Sequence, residues 1–345
     1  MQNVTIFIDL GALKDNLAAL KSAYKTRLLF MVKCNAYGHG LVPVAAAADE
    51  IVDYFGVATL AEGRMLKAAG IKKPVLAGCI KPGETAAAID AELVTAVFSA
   101  EQYNALSAAA KAKKKKVSCH VKIDSGMNRL GFKSEGEITA LARRLKADEF
   151  VGIEGAYSHI SSQETKTRQL ERFLKLAEPL KELNKDLILH IASGKIGLTS
   201  PECRLGMVRA GLAAYGYSDI TKPVMTAAAD VLQAKPARRG EEVSYGHTPL
   251  ERNVGLAVIG AGYGDGVPRS LATKAVIRGR VCAAAGIPCM DMTVVKTEGF
   301  LAKEGEAAVF LGGEMTAEAV AEASGRIPYE ILTGFHGRCE YLYFD

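Results

Sequence analysis

The sequence predicts an α/β chain, an N-terminal (β/α)8 barrel followed by a smaller, mostly β domain. Three observations carry this prediction. From Leu28 onward, short apolar runs alternate with segments of helical period through eight rounds. No glycine fingerprint of the dinucleotide-binding kind follows the first of these runs, which argues against an open doubly wound sheet. After Tyr217 the alternation stops, and β-rich pieces separated by Gly and Pro follow.

The elements follow in chain order. Ile6–Leu10 is a short strand-like opening, and residues 11–23 carry Leu13, Leu17 and Leu20 at helical spacing. The eight barrel strands are expected at 28–33, 54–58, 74–78, 94–98, 117–124, 152–158, 187–192 and 204–209. Helical periodicity fills 41–51, 60–69, 102–114, 135–146 and 165–183, while the gap between the last two strands holds at most a brief helix. The second domain is expected to contain strands at 224–231, 254–259, 275–281 and 307–310, with one helix at 317–324. The domains therefore divide as 1–220, the barrel, and 221–345, the β domain.

Composition excludes several classes. The chain has 345 residues, 49% hydrophobic and 23% charged, as ordinary globular proteins do. It contains no apolar run long enough to cross a bilayer and opens on no signal peptide, so a cytoplasmic protein without a membrane segment is expected. The net charge of +5 lies partly in Lys111 and Lys113 to Lys116. No aromatic residue interleaves that run, which reads as a solvated helix end and not as a nucleic-acid patch. Seven scattered cysteines form no CxxC pair, which argues against a disulfide frame or a metal site.

Barrels of this kind carry their chemistry at the C-terminal strand ends. The stretch Met31–Gly40 is the centre of the pattern: a buried strand closes on Lys33, and Asn35, Gly38 and Gly40 then break the chain into a loop. A lysine at such a junction is partly desolvated, and a neutral amine forms a Schiff base with a carbonyl. The other strand ends offer Tyr37, then Lys122 and Asp124 with Asn128-Arg129, Ser158-His159, His190 with Ser193-Gly194, and Arg209 with Gly211-Leu212. Turns after the last two strands commonly hold phosphate on backbone N–H groups. Arg129 suits a carboxylate or phenolate, and Arg209 is permanently charged. The set fits a phosphorylated cofactor bearing a carbonyl.

The stretch Val32-Lys33-Cys34-Asn35-Ala36-Tyr37-Gly38-His39-Gly40 closely resembles the cofactor-lysine motif of bacterial alanine racemases. The resemblance runs nearly the whole length, through 122–132, 208–212, Ser244-Tyr245-Gly246, 262–266 and Cys289-Met290-Asp291. It implies an isomerase that binds pyridoxal 5′-phosphate and interconverts L- and D-alanine, supplying D-alanine for peptidoglycan. Lys33 would carry the cofactor and act as one base. Tyr245 would be the opposite base, working on the site of a partner subunit in a head-to-tail homodimer. His159 would bond to that tyrosine, and Arg209 to this network and to the cofactor's ring nitrogen; both are expected to be cationic neighbours that lower the tyrosine pKa. Arg129 and the Met290 N–H would hold the amino-acid substrate's carboxylate. Tyr37, Ser193, Gly194, Gly211 and Leu212 would hold the phosphate. Lys122 matches a lysine often carbamylated in the family, and Tyr263 and Asp291 match entry-gate and supporting residues.

Two departures bear on specificity. Ser193-Gly194 stands where the family usually has Asn-Ser, so one phosphate hydroxyl has moved or gone. Gly337 falls where many alanine racemases carry a pocket-narrowing tyrosine, which suggests a serine-accepting or broader racemase as a second reading; a glycine serving only a turn is the alternative. A related decarboxylase would need an acidic group where Arg209 stands. A non-catalytic cofactor-binding barrel would lack the β domain and Tyr245.

Overall fold

The computed structural model describes residues 4–247 and 249–345, which group into two compact units. The opening strand β1 (Val4–Asp9) belongs to the second unit. The first unit, residues 13–36 and 41–222, contains β2 (Arg27–Met31), β3 (Tyr54–Val57), β4 (Val75–Ala77), β5 (Val94–Val97), β6 (Val117–Lys122), β7 (Val151–Tyr157), β8 (Ile188–His190) and β9 (Met207–Ala210). All eight run parallel, each beside its sequence neighbour, and β9 returns to pair with β2. Backbone bonds from Gly206 N to Leu189 O (2.9 Å) and from Arg209 N to Ala192 O (3.1 Å) link β8 to β9 and nearly close the barrel.

Most of these strands are buried along their length and read as apolar runs, whereas β7 alternates and β6 carries Ser118, His120 and Lys122. Leu29, Tyr54, Leu76, Val94, Ala96, Ile188 and Met207 form a buried cluster against Met31 and Tyr157. The helices between them start on clear local signals. Ser99 caps Ala100–Lys113, and Ser134 with Glu137 forms a capping box on Glu135–Ala147. The lysine run lies where the first of these ends. Lys113 pairs with Asp90 at 2.8 Å and Lys115 with Glu92 at 3.3 Å, beside the negative end of the helix dipole.

The second unit comprises residues 1–12, 37–40 and 223–345. Its strands are β10 (Met225–Ala237), β11 (Val254–Ile259), β12 (Lys274–Ile277), β13 (Arg280–Ala283), β14 (Thr293–Thr297), β15 (Ala307–Leu311) and β16 (Glu340–Phe344), joined by β1. Within it, β1 lies between β10, antiparallel, and β16, parallel. This corrects the division drawn at residue 220, which placed the opening strand with the barrel: an isolated apolar pentapeptide carries no mark of the sheet it joins. The expected strand at 275–281 is instead a hairpin, β12–β13. Arg278 (φ 52°) and Gly279 (φ 69°) form its two-residue turn, a left-handed pair that Arg-Gly does not announce as Asn-Gly would. Gly194–Thr199 is the brief helix allowed between the last two barrel strands, while the helices Thr85–Asp90 and Pro328–Gly334, with β14 and β16, are short elements that periodicity did not reveal.

Candidate active site

The end of β2 has an unusual backbone. After half-buried Lys33, the residues Cys34, Asn35, Ala36 and Tyr37 all sit in the left-handed region, with φ of 53–54°. Such a conformation costs a non-glycine residue roughly 1–2 kcal/mol, so neighbours must over-determine it. Ala36 N donates to Val32 O at 2.8 Å, Asn35 Oδ1 accepts from Leu41 N at 2.8 Å, and Glu62 Oε1 accepts from Cys34 N at 2.7 Å. The other Glu62 oxygen accepts from Ala58 N and Thr59 N, so one carboxylate ties the loops after β2 and β3 together. The loop expected at Asn35 is thus a left-handed turn that begins straight after the lysine. Glu62 was not singled out in the sequence; its capping-box spacing from Thr59 was the available signal.

Arg209, 8% exposed on β9, organises the next part of the site. Its guanidinium donates to Ser158 O at 2.8 Å, His190 O at 3.1 Å, His159 Nδ1 at 3.1 Å and His190 Nδ1 at 3.3 Å. Arginine is always a donor, so both imidazoles accept at Nδ1 and carry their proton on Nε2. Burial together with Arg209, Arg129, Lys122 and Lys33 pushes the His159 pKa down to about 3, and His190 lies well below its ordinary value. His159 is therefore a neutral N–H donor, which corrects the expectation that it joins Arg209 as a cation. His190 Nε2 continues to His120 Nδ1 at 2.8 Å. His120, unremarked in the sequence, is fully buried and lies across Gly155, where a Cβ would come within 2.6 Å of the ring. Tyr157 stacks on His190 with centroids 4.9 Å apart.

Lys122 ends β6 at 6% exposure, its Nζ donating to Ile123 O at 3.3 Å and lying 5.0 Å from the Tyr157 ring centroid. Burial first, then Arg209 and Arg129, pull its pKa down to about 7. Beyond it the chain leaves and rejoins the strand end through Asp124 N to Phe132 O (2.9 Å) and Phe132 N to Lys122 O (3.0 Å). Asp124 Oδ1 accepts from Gly126 N and Asn128 N, which shapes the loop that presents exposed Arg129.

Ser193-Gly194 and Gly211-Leu212 meet because Ser193 bridges to Arg209. Ser193 precedes the helix Gly194–Thr199, yet its hydroxyl makes no capping bond. A Cβ on Gly194 would lie 2.9 Å from Ala213 Cβ and 3.3 Å from Tyr24 Oη, so a serine there would crowd its neighbours. Tyr37 groups with the second unit, buried, its ring centroid 5.9 Å from that of Tyr329.

The remaining predicted residues converge within the second unit. Ile287 N donates to Tyr245 O at 3.0 Å, Tyr263 N to Cys289 O at 3.0 Å, and Gly264 N to Met290 O at 2.9 Å. Tyr245 is 62% exposed, Met290 54% and Tyr263 41%, an uncommon display of large side chains on one set of loops. The Met290 N–H has no acceptor among the described residues. Arg338, missed in the sequence, donates to Asp265 Oδ1 and to Asp291 Oδ1, each at 2.6 Å. Gly337 has φ +72°, so the turn alone accounts for a glycine there.

An amine, a neutral imidazole donor, a fixed guanidinium and a free serine hydroxyl on barrel strand ends, carried with a β unit, define a two-unit barrel enzyme built for proton transfer. Residues 8–219 match the family model "Alanine racemase, N-terminal domain", and residues 224–343 match "Alanine racemase, C-terminal domain". The chain is 34% identical to alanine racemase of Thermobifida fusca over 362 residues, covering 97% of this chain and 96% of that one. It is also 34% identical to alanine racemase of Mycobacterium tuberculosis over 368 residues, covering 97% and 94%. The crystal structure of alanine racemase from D-cycloserine-producing Streptomyces lavendulae superposes with a TM-score of 0.95 at 33% identity, covering 100% of this chain and 98% of that one. The chain belongs to the alanine racemase family, and is an isomerase. These likenesses favour alanine racemase over the serine, decarboxylase and carrier readings.

Proposed function

We propose that the enzyme interconverts L- and D-alanine using pyridoxal 5′-phosphate, with Lys33 and Tyr245 of a second copy as bases on opposite faces of the substrate. The donor set fits that cofactor. Lys33 would supply the amine, Arg209 a donor for the ring nitrogen, Arg129 a cation for the phenolic oxygen, and Tyr37, Ser193, Gly194, Gly211 and Leu212 the phosphate site. When bound, the cofactor supplies the electron sink that makes the Cα proton labile.

The observation that carries the reading is Arg209 donating at 3.1 Å to a neutral His159. That bond leaves the His159 Nε2–H as a donor for a tyrosine oxygen. Through that N–H, His159 would orient the Tyr245 Oη of the second copy for proton transfer at Cα. Arg209 does not surrender its proton, so beside the ring nitrogen it would act only as a hydrogen-bond donor. Arg129 and the unspent Met290 N–H would orient the alanine carboxylate. Lys122, with its pKa pulled down to about 7, has a sizeable neutral fraction near neutral pH and so is open to carbamylation by CO2; the added negative charge would orient Arg129.

Exposed Tyr245, Tyr263 and Met290 are what a head-to-tail dimer with shared sites would cover. No helix among the described residues is long and apolar enough to cross a membrane. We place the enzyme in the cytoplasm, where D-alanine enters peptidoglycan synthesis. The test is chiral detection of product from each alanine enantiomer with added pyridoxal phosphate. Both directions should proceed, and Tyr245→Phe should slow them by about 10²–10⁴-fold, the usual worth of a positioned base. Full activity of Tyr245→Phe would overturn the two-base assignment.

A further inference from the structure

We propose that Arg338 is a positioning residue for substrate binding, clamping the loops that carry Tyr263 and Met290. The proposal rests on the reading above, in which those loops face the substrate. Asp265 is fully buried, and such a carboxylate needs partners. It has three: Arg338 Nε at 2.6 Å, Arg338 Nη2 at 3.2 Å, and Gly262 N at 2.9 Å. The bidentate grip fixes the plane of the guanidinium. The same Nη2 reaches forward to Asp291 Oδ1 at 2.6 Å, the residue directly after Met290.

One guanidinium therefore joins residues 262–266, 289–291 and 337–339. The loops interlock beneath it. A Cβ on Gly264 would stand 3.0 Å from Met290 O and 3.3 Å from Arg338 Nη2, so Arg338 packs directly over that glycine. Cys339 Sγ also contacts Asp265 O at 3.6 Å. Gly337, which the sequence offers as a pocket residue, immediately precedes the clamp. The Met290 peptide is thus held from both sides, its carbonyl by Gly264 N and its following side chain by Arg338, while its N–H stays unspent. A donor held this way meets a carboxylate without first being ordered, and this lowers the cost of binding.

Removing Arg338 leaves the buried Asp265 charge with only Gly262 N, and that alone would loosen the fold. The cleaner variant is Asp291→Asn, which weakens only the forward arm. In the pyridoxal phosphate-loaded enzyme, Asp291→Asn should raise KM for alanine about 10-fold with kcat within about 3-fold, since misplaced positioning groups cost up to about 100-fold. Its thermal midpoint should match the parent. Arg338→Lys, a point charge unable to grip both carboxylates, should shift KM in the same direction. Tyr263→Ala serves as the reference. If Tyr263→Ala raises KM while Asp291→Asn and Arg338→Lys do not, the clamp is refuted and the placement of the loops stands. If none of the three moves KM, that placement fails as well. A fall in thermal midpoint with KM unchanged would reduce Arg338 to a structural ion pair and overturn the proposal.

Discussion

Lys122 shows how one residue's surroundings decide its chemistry. Its pKa of about 7 arises from burial and two nearby guanidinium groups, partly offset by Asp124. The consequence for stability has a definite sign. Below pH 7 the lysine is charged in both folded and unfolded chains, and the full cost of burying that charge is felt. Between pH 7 and the ordinary lysine range the folded chain is neutral there while the unfolded chain is protonated, so stability rises with pH. Lys122→Met should therefore raise the thermal midpoint more at pH 6 than at pH 9 in CO2-free buffer. An equal gain at both values would mean that Lys122 does not titrate in this range. The residue itself was legible from its place in a motif, but its depressed pKa was not. That depends first on burial inside the folded barrel and then on Arg209, which approaches only when β6 and β9 share a barrel.

At the scale of elements, the strands were the most legible part, because most buried parallel strands are apolar runs and each expected barrel strand overlaps an observed one. What stayed hidden were features fixed by neighbours in space. His120 and Gly155 are a matched pair across β6 and β7, a ring laid over a missing side chain, and neither residue signals the other in sequence. Gly155→Ala should push the His120 ring aside and cost about 1–3 kcal/mol in denaturant unfolding, as overpacked cores do. It should also disturb the His190 bond that leads to Arg209. The same change combined with His120→Ala should recover most of the loss, and a double mutant no more stable than the single would show that the ring is not the obstacle. The left-handed turn after Lys33 was hidden for a related reason. Cys, Asn, Ala and Tyr have no shared preference for that conformation; Glu62 and the Leu41 backbone impose it.

For the whole molecule, the legible part was the sequence of two architectures and the set of strand-end residues. The illegible part was which stretch joins which unit. β1 is the clearest case. It fills the gap between β10 and β16, with Thr5 beside both Ala228 and Glu340. Removing residues 1–9 should expose the edges of both strands and lower the second unit's resistance to proteolysis, while the barrel helices keep their amide protection from hydrogen exchange. Uniform loss of protection throughout the chain would mean that the units do not unfold separately.

The parallel pairing of β1 with β16 also sets a timetable for synthesis. Residues 4–9 leave the ribosome more than 300 residues before Glu340–Phe344, one of their two sheet neighbours. The barrel's strands pair with their immediate successors, so most of that unit can assemble as it emerges. β1 can meet β10 once residues 225–229 are made, but its other edge waits for residues 340–344. A nascent chain stalled before residue 340 should therefore hold an exposed β edge that chaperones recognise.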